Sequence, residues 1–534
     1  MSTQKDIASP WDGARFARER NTGVILGLAL NQVIALGTGI GLIVAVMVFG
    51  TFPRNLLLAV VLTVLTAGIG LPRFAGKSLI EWIGLMFKHV LRSLSNQLKY
   101  VHRDNAELYE GEEPAAQTLG EDSFEGEERN EKGRIRAGKG LRFRLPGEAQ
   151  ELRGQRLPGG AGFIYDARTG EGLVVAQIIT SKGFNLESFE LQEDRTAGWR
   201  DGLTAVAQMP GVVRVQASDQ TTLISGKRVR EFYDEKRHEA ARDAGGVERV
   251  SGEGIDPFLH TSFMDLMTEA QDMPVHEMWL TIVLSKEMLS RRIRALGGGL
   301  PGFMEVALGV MGTVEVILPV SGTEVLGWHS LRSIAALSRS AFDPDSSVQI
   351  SERTGAWAGV APSSAGPMAM NAPLDRVTTD GFLHRTYKVS EFPQSQARLG
   401  FLDAFVFAGD FRHTVTSYYL PRDAKKARKM VQRRKADWHT TNKLLRNLDR
   451  QPSLEHEREI EDIELEEAEL VAGNAPIDFV VLITVTGRDE LDLEANCADM
   501  LSKAVQANCE LRPVFAEQDA GFLASALPFG RVDM

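Results

Sequence analysis

The sequence predicts a mixed α+β fold: an N-terminal two-helix transmembrane hairpin followed by two cytosolic α/β sandwich units, with no P-loop motor domain. Two apolar runs near the N-terminus predict the hairpin. Alternating strand and helix patterns after residue 159 predict the two units, and two long segments of opposite charge predict a helical hairpin within the second. Charged residues make up 25% and hydrophobic residues 43% of the 534-residue chain, which is ordinary for a chain that buries cores.

The predicted membrane hairpin occupies residues 24–49 and 56–71. The first run is longer than the ~20 residues that cross a bilayer as an α-helix, whereas the second is shorter and needs its flanks to span. Only residues 50–55 separate the runs, so they form a tight turn. A cleaved signal peptide is the competing interpretation, but the apolar stretch is too long and is followed at once by another.

The charge around the hairpin predicts its orientation. Basic residues concentrate on the cytoplasmic side of membrane helices, and here they flank the outer ends of both runs while the turn has only Arg54. Residues 1–22 are therefore predicted to be a cytoplasmic tail, with both termini and the large body cytoplasmic, at the cell (inner) membrane. The flanking residues are Lys5, Arg15, Arg18, Arg20, Arg73, Lys77, Lys88, Arg92, Lys99 and Arg103.

Small and polar residues inside the first run are candidates for helix packing. Glycines four residues apart let membrane helices approach closely, and polar side chains can bond to a neighbouring helix. Gly39 adds to the second of the two glycine spacings, although glycine is also simply common in membrane helices. The candidates are Gly23, Gly27, Gly37, Gly41, Asn31 and Gln32.

The segment after the hairpin, which completes the predicted membrane region 23–103, has apolar residues at helical spacing from Leu79 to Leu94. Basic residues lie between them, and Trp82 supplies a ring suited to the lipid interface. This pattern predicts an amphipathic helix on the inner leaflet or against a partner. Gly76-Lys77-Ser78 is not a phosphate-binding loop, because the upstream glycine has the wrong spacing.

The body is predicted to divide into an acidic, glycine-containing linker at 104–158, a first α+β unit at 159–342, a linker at 343–380 and a second α+β unit at 381–534. Glycine, proline and serine mark the second linker. We expect helices on one face of each sheet. Within the first unit, the pattern predicts a helix ending at 307–310, a strand at 313–320 and a helix at 325–341.

The helical hairpin is predicted at residues 422–472. Residues 422–450 have eleven Lys or Arg, whereas residues 455–469 have nine Asp or Glu. The two helices can pair with each other, which we favour, or the basic helix can bind nucleic acid or an anionic leaflet. The candidate contact residues are Arg422, Lys425, Lys426, Arg428, Lys429, Arg433, Arg434 and Lys435.

No catalytic, cofactor-binding or metal-binding constellation emerges from the sequence. Cys497 and Cys509 fit neither a disulfide framework nor a CxxC metal pair. The ten histidines are scattered, and neither a GxSxG nor an HExxH motif is present. A net charge of −11 argues against the whole molecule being a nucleic-acid binder. We therefore expect no enzymatic activity and no cofactor.

The layout resembles components of type IV secretion and conjugation systems. The hairpin followed by PRFAGKSLIEWIG (72–84) resembles PrgI-like inner-membrane proteins of Gram-positive conjugation systems. The region after 382 resembles the N-terminal, non-motor part of TrbE/CagE-type conjugation ATPases. The similar segments are HRTYKVSEFP (384–393), SYYLP (417–421), VVLITVTGRDELDLEANCADMLSKAVQANCELRP (480–513) and AGFLASALPFG (520–530).

This resemblance implies a non-enzymatic scaffold subunit that anchors a cytosolic platform and docks a separate ATPase. Membrane lipid, the secretion ATPase and other channel subunits would be its partners, in an oligomeric assembly. The chain departs from the ATPases because no Walker A motif is present, so no nucleotide-hydrolysing residue is carried over. The alternative is a membrane component of a type VII secretion system, and a membrane-tethered enzyme is a third hypothesis.

Overall fold

A computed structural model describes residues 30–49, 54–70, 73–74, 77–102, 128–129, 135–136, 140–180, 187–223, 233–236, 257–269, 274–393, 400–447, 454–472 and 476–532. The architecture of these residues is mixed helix and sheet. The mixed α+β class expected from the sequence is therefore confirmed.

The first described elements are two apolar helices, α1 (Leu30–Phe49) and α2 (Arg54–Gly70), which pack against each other. A two-stranded ribbon follows, formed by β1 (Arg73–Phe74) and β2 (Lys77–Ser78). Helix α3 (Leu79–Leu94) begins at a capping box, in which Ser78 and Glu81 satisfy each other's backbone N–H groups. Such reciprocal caps fix where a helix starts, and α3 begins where its apolar periodicity does.

A single large antiparallel sheet forms the body. Among the described residues it has fourteen strands, in the order β3-β13-β14-β15-β17-β16-β10-β11-β9-β8-β7-β6, with β12 beside β9 and β18 beside β15. The strands are β3 (Lys99–Val101), β6 (Leu141–Arg142), β7 (Leu152–Arg156), β8 (Gly162–Asp166), β9 (Glu171–Thr180), β10 (Val212–Leu223), β11 (Pro274–Ser285), β12 (Thr323–Trp328), β13 (Ala369–Asn371), β14 (Val377–Thr379), β15 (Phe382–Glu391), β16 (His413–Pro421), β17 (Ile477–Gly487) and β18 (Glu510–Pro513); β4 (Glu128–Arg129) and β5 (Ile135–Arg136) pair separately.

The two predicted units share this sheet. Strand β10 of the first unit pairs with β16 of the second, from Val215 opposite Tyr419 to Gln220 opposite Thr414. The predicted linker at 343–380 contains β13 and β14, which extend the sheet to the edge strand β3. This segment has the composition of a loop but contains two short strands. The prediction that all of 343–380 is a linker is therefore corrected.

Helices cover both faces of the sheet. The helices of the body include α4 (Phe189–Ala207), α5 (Pro257–Glu269), α6 (Ser290–Ala295), α7 (Gly299–Ile317), α8 (Leu331–Phe342), α9 (Ser346–Ser351), α10 (Asp403–Val406), α11 (Ala424–Asn447), α12 (Leu454–Ala472), α13 (Glu490–Gln506) and α14 (Gln518–Ala526). Three of them, α4, α7 and α13, pack on one face, while α8 and α14 pack on the other. Short 3₁₀ turns lie at Gly147–Glu151, Leu318–Ser321, Gly355–Trp357 and Pro362–Ser364.

The expectation of helices on one face is wrong for a reason visible in the strands. Residues 172–176 of β9 and 481–487 of β17 are buried without alternation. A strand that is apolar at successive positions needs cover on both faces. The central strands of the sheet therefore require two helical layers.

The predicted strand at 313–320 is also wrong, because α7 continues to Ile317. Its buried residues Phe303, Val306, Val310 and Val314 follow helical spacing, and this spacing overrides the strand preference of valine and isoleucine. The predicted helix at 325–341 is in fact β12 followed by α8. The predicted linker at 104–158 includes β6, β7 and the buried side chains of Phe143 and Leu145, so its last part belongs to the sheet.

Candidate functional site at the junction of helix α3 and the body

Helix α3 presents an apolar face that the described part of the chain leaves uncovered. The side chain of Phe87 is 65% exposed and that of Leu94 is 79% exposed. Residues three and four apart share one face of a helix, and the exposed residues follow that spacing. They are Ile83, Phe87, Val90, Leu91 and Leu94.

The opposite, polar side of α3 is bound to the body. Lys88 forms an ion pair of 3.2 Å with Glu517, and Arg92 forms a second ion pair with Asp519, which is largely buried. The imidazole Nδ1 of His89 lies 3.3 Å from the carbonyl oxygen of Ala516. These contacts fix α3 by its charged face, so its apolar face must point away from the body.

The segment that α3 contacts, around Ala516, has an unusual backbone conformation. Ala516 has φ +65°, in the left-handed region where a side chain costs about 1 kcal/mol or more. Its N–H donates to the carbonyl of Leu374 at 2.8 Å, and the neighbouring Phe515 ring lies 5.7 Å from that of Trp82 on α3. Surrounding contacts thus hold this turn in place immediately before α14.

From this turn, residues 515–532, which we call the C-terminal strap, run over one face of the sheet. Gln216 donates from Nε2 to the carbonyl of Leu527 at 2.9 Å and accepts from the N–H of Gly530 at 2.7 Å. The Tyr418 hydroxyl donates to Ala524 O at 2.6 Å and lies 3.0 Å from Arg531 O. Both side chains are buried, so the strap is held by hydrogen bonds shielded from water.

Further bonds extend this attachment across the sheet. The Gln518 amide accepts from Thr386 N–H at 2.8 Å and donates to its carbonyl at 3.1 Å. Near the far end of the strap, Arg531 forms a buried ion pair with Asp166. Burial alone would raise the pKa of Asp166, but hydrogen bonds from the Arg168 backbone and from Arg531 hold it below its ordinary value. The strap therefore connects α3 to strands of both halves of the sheet.

The predicted packing residues of α1 differ in whether they contact α2. A Cβ at Gly39 would lie 2.1 Å from Thr66 on α2, whereas one at Gly37 or Gly41 would meet nothing within 4 Å. Gly39 is thus the point of closest approach between α1 and α2, and Gly37 and Gly41 face outward. Gln32 is fully buried. The predicted residues Gly23 and Gly27 and the side chain of Asn31 lie outside the described part of the chain.

The predicted pairing of the charged helices is confirmed. Arg434 pairs with Glu466 at 2.7 Å, and Lys435 pairs with Glu467 at 2.6 Å. A small apolar core formed by Ala427, Val431, Ile463 and Leu470 lies between α11 and α12. Arg428 donates to Leu470 O at 3.0 Å and Arg422 pairs with Asp478.

Half of the predicted basic contact residues therefore make bonds within the hairpin or to the adjacent strand. The other four point into solvent. These are Lys425, Lys426, Lys429 and Arg433.

A polar cleft of about 450 Å³ opens where β10, β16 and β17 meet the start of α13. The guanidinium of Arg412 donates to Thr222 Oγ1 at 3.0 Å and to Ser340 O at 2.7 Å. Arg488 pairs with Asp345, and Asp489 caps α13. Each of these charged groups therefore has a protein partner.

The described residues contain no group of three or more His, Cys, Asp or Glu arranged to hold a metal ion. Cys497 and Cys509 are free and buried, and burial raises the pKa of Cys509 to about 11. A thiol with a raised pKa is a poor nucleophile at neutral pH. The absence of catalytic, metal and cofactor sites remains a prediction.

Two described helices are long and apolar enough to cross a membrane, Gln32–Phe49 and Gly299–Ile317. In the first span 11% of the residues are buried, and in the second 39%. Because α7 packs on the sheet through Phe303, Val306 and Val310, its apolar character is explained by the core. Helix α2 contains the shorter apolar stretch Leu56–Thr66.

Comparison with known proteins gives no assignment. No protein-family profile matches the chain, and no curated protein is significantly similar to it. The function must therefore be argued from the geometry of the molecule.

Proposed function

We propose that this protein is a non-enzymatic inner-membrane scaffold subunit of a type IV secretion or conjugation machine. In this proposal α1 and α2 cross the membrane as a hairpin, both termini are cytoplasmic, and the body forms a platform that docks a separate ATPase and other channel subunits. The observation that carries the membrane attachment is the orientation of α3. Its charged side is ion-paired to the body while its apolar side is exposed, as expected of a helix at a lipid surface.

The platform role is supported by how α3 is connected. A helix that only tethered a body to lipid would need no specific contact with it. Here Arg92 and Lys88 bind the strap, and the strap crosses the centre of the sheet. Such a connection holds a large body in one orientation beneath the membrane, which suits a surface on which other subunits assemble.

The membrane topology is tested by extraction and protease protection. The full-length protein should stay with vesicles through an alkaline carbonate wash, and protease added to right-side-out vesicles should leave the body intact. The contribution of α3 is tested in the same extraction assay with the double variant Phe87→Asp/Leu94→Asp on its apolar face. Glu190→Gln, on the exposed start of α4, is the control variant. Release by carbonate, or digestion of the body from outside, would reject the anchored arrangement.

The machine is tested by co-purification from the native host in mild detergent. We expect a P-loop ATPase and further membrane subunits to co-purify stoichiometrically with the wild-type protein. Recovery of the protein alone would contradict the scaffold role. Recovery with type VII secretion components, which are also membrane-anchored, would replace the proposed machine and leave the topology intact.

A further inference from the structure

The paired helices α11 and α12 expose oppositely charged faces on opposite sides. On α11, the side that contacts α12 contains Ala427, Val431 and Arg434. At ~100° per residue, Lys425, Lys429 and Arg433 project from the other side, and all three are exposed. The stripe has the i, i+4, i+8 spacing of a single helix face.

The outward side of α12 has the complementary charge. Ile463 and Leu470 face α11, so Glu457, Glu461 and Glu464 lie on the outward half of the helix, and all three are exposed. Leu465 is 55% exposed beside them. Arg458 is the only Lys or Arg in this helix, so the outward half remains net acidic around Leu465.

These faces are not used by the hairpin itself. Between the described residues of the two helices the ion pairs are Arg434–Glu466 and Lys435–Glu467, and Glu464 lies near enough to Lys435 to add to the effect of Glu467 on that side chain. The other five stripe residues form no ion pair with a described residue. A surface whose two opposite sides are complementary in charge fits another copy of itself. Because the basic and acidic stripes differ, the contact is head-to-tail, and copies held at the same orientation by a membrane can close such contacts into a ring.

We propose that α11 and α12 form a self-assembly element, in which the Lys425–Lys429–Arg433 stripe of one copy binds the Glu457–Glu461–Glu464 stripe of the next. Exposed ion pairs are individually weak, so the contact depends on several pairs, on Leu465 and on confinement to one membrane, which raises the effective concentration. Screening by salt should weaken it. This inference rests on the proposed membrane anchoring but not on which machine the protein serves.

A zero-length carbodiimide cross-linker tests the contact directly. Full-length protein, prepared as an equal mixture of ¹⁴N- and ¹⁵N-labelled copies in phosphatidylcholine vesicles, should yield mixed-isotope links joining Lys425 or Lys429 to Glu457, Glu461 or Glu464. Such links can arise only between copies. Links confined to a single isotope would overturn the proposal.

Charge swaps provide the decisive control, read out as energy transfer between labelled copies. The variant Lys425→Glu/Lys429→Glu/Arg433→Glu, and separately Glu457→Lys/Glu461→Lys/Glu464→Lys, should each lose transfer about tenfold. Mixing the two should restore it, because each reversed face then meets its complement. Both variants leave Arg434, Lys435, Glu466 and Glu467 in place, and the exposed double variant Arg291→Glu/Arg294→Glu should assemble normally.

The alternative partners give different outcomes. If the basic stripe binds lipid, transfer will require phosphatidylglycerol and the mixture of variants will not recover. If it binds nucleic acid, the basic-stripe variant will lose filter retention of DNA while copy-to-copy transfer is unchanged. Either result would reject self-assembly.

Discussion

Replacing Gln216 by leucine tests the attachment of the strap to the sheet. The Gln216 amide makes three hydrogen bonds, to Ser218 Oγ, to Leu527 O and from Gly530 N–H. Each buried bond contributes about 1 kcal/mol net, and unpaired buried groups cost more. Leucine has a similar volume and leaves the Leu527 carbonyl and the Gly530 N–H unpaired, so we expect the strap to be destabilised by about 2–4 kcal/mol.

Hydrogen exchange measures this loss where it occurs. If the strap opens locally, the amide of Gly530 should exchange about 30- to 1,000-fold faster in the variant, since 1.4 kcal/mol corresponds to a factor of ten. Mass spectrometry of a peptide covering 524–532 reads this rate. Gln432→Leu on the exposed side of α11 is the matched control and should leave the peptide unchanged. Equal exchange in wild type and Gln216→Leu would refute the idea that Gln216 holds the strap.

Three further predictions follow from other contacts. Gly39→Leu should overpack the α1–α2 contact, destabilise the protein by about 1–3 kcal/mol and lower its thermal stability in detergent. Gly37→Leu, whose side chain would meet open space, should leave the thermal stability unchanged. Equal effects of the two variants would place the helix contact elsewhere. Arg92→Ala should remove an ion pair to the nearly buried Asp519 and increase protease cleavage at 514–518 several-fold, while Arg291→Ala should leave cleavage unchanged. Burial lowers the pKa of His329 to about 4, and burial with the nearby Arg412 charge lowers the pKa of His384 to about 3. The free energy of unfolding should therefore be largest above pH ~6.5 and fall by about 1.4 kcal/mol per pH unit per histidine between pH ~6 and ~4. The variant His384→Gln should flatten this slope, and an unchanged slope would show that His384 does not titrate on unfolding.

Features with a strong local signal could be predicted from the sequence. The boundaries of α11 and α12 follow from Pro452 and the change of charge sign around it. The amphipathic pattern of residues 79–94 predicted α3 with its correct bounds. In each case the determining interactions lie within a few residues of each other.

Features that depend on distant partners could not be predicted. Glycine spacing identifies small residues on α1, but only the packing of α2 selects Gly39 over Gly37 and Gly41. The groups that hold the strap, such as Gln216, Thr386 and Tyr418, lie on three different strands. Each is an ordinary polar residue in its own strand, so no local pattern marks it as part of a binding surface for residues 515–532.

Helix α3 is connected to the centre of the sheet through the strap. Arg92 on α3 forms an ion pair with Asp519 at the start of α14, and Arg531 near the end of the strap forms an ion pair with Asp166. A displacement of α3 relative to the body must either break the charged contacts at 517 and 519 or shift α14 on its face of the sheet. The turn at Ala516 between these contacts has a left-handed backbone angle, which costs a residue with a side chain about 1 kcal/mol or more. In the proposed membrane arrangement, the α3–strap contact is therefore the place where a movement of α3 would reach the sheet.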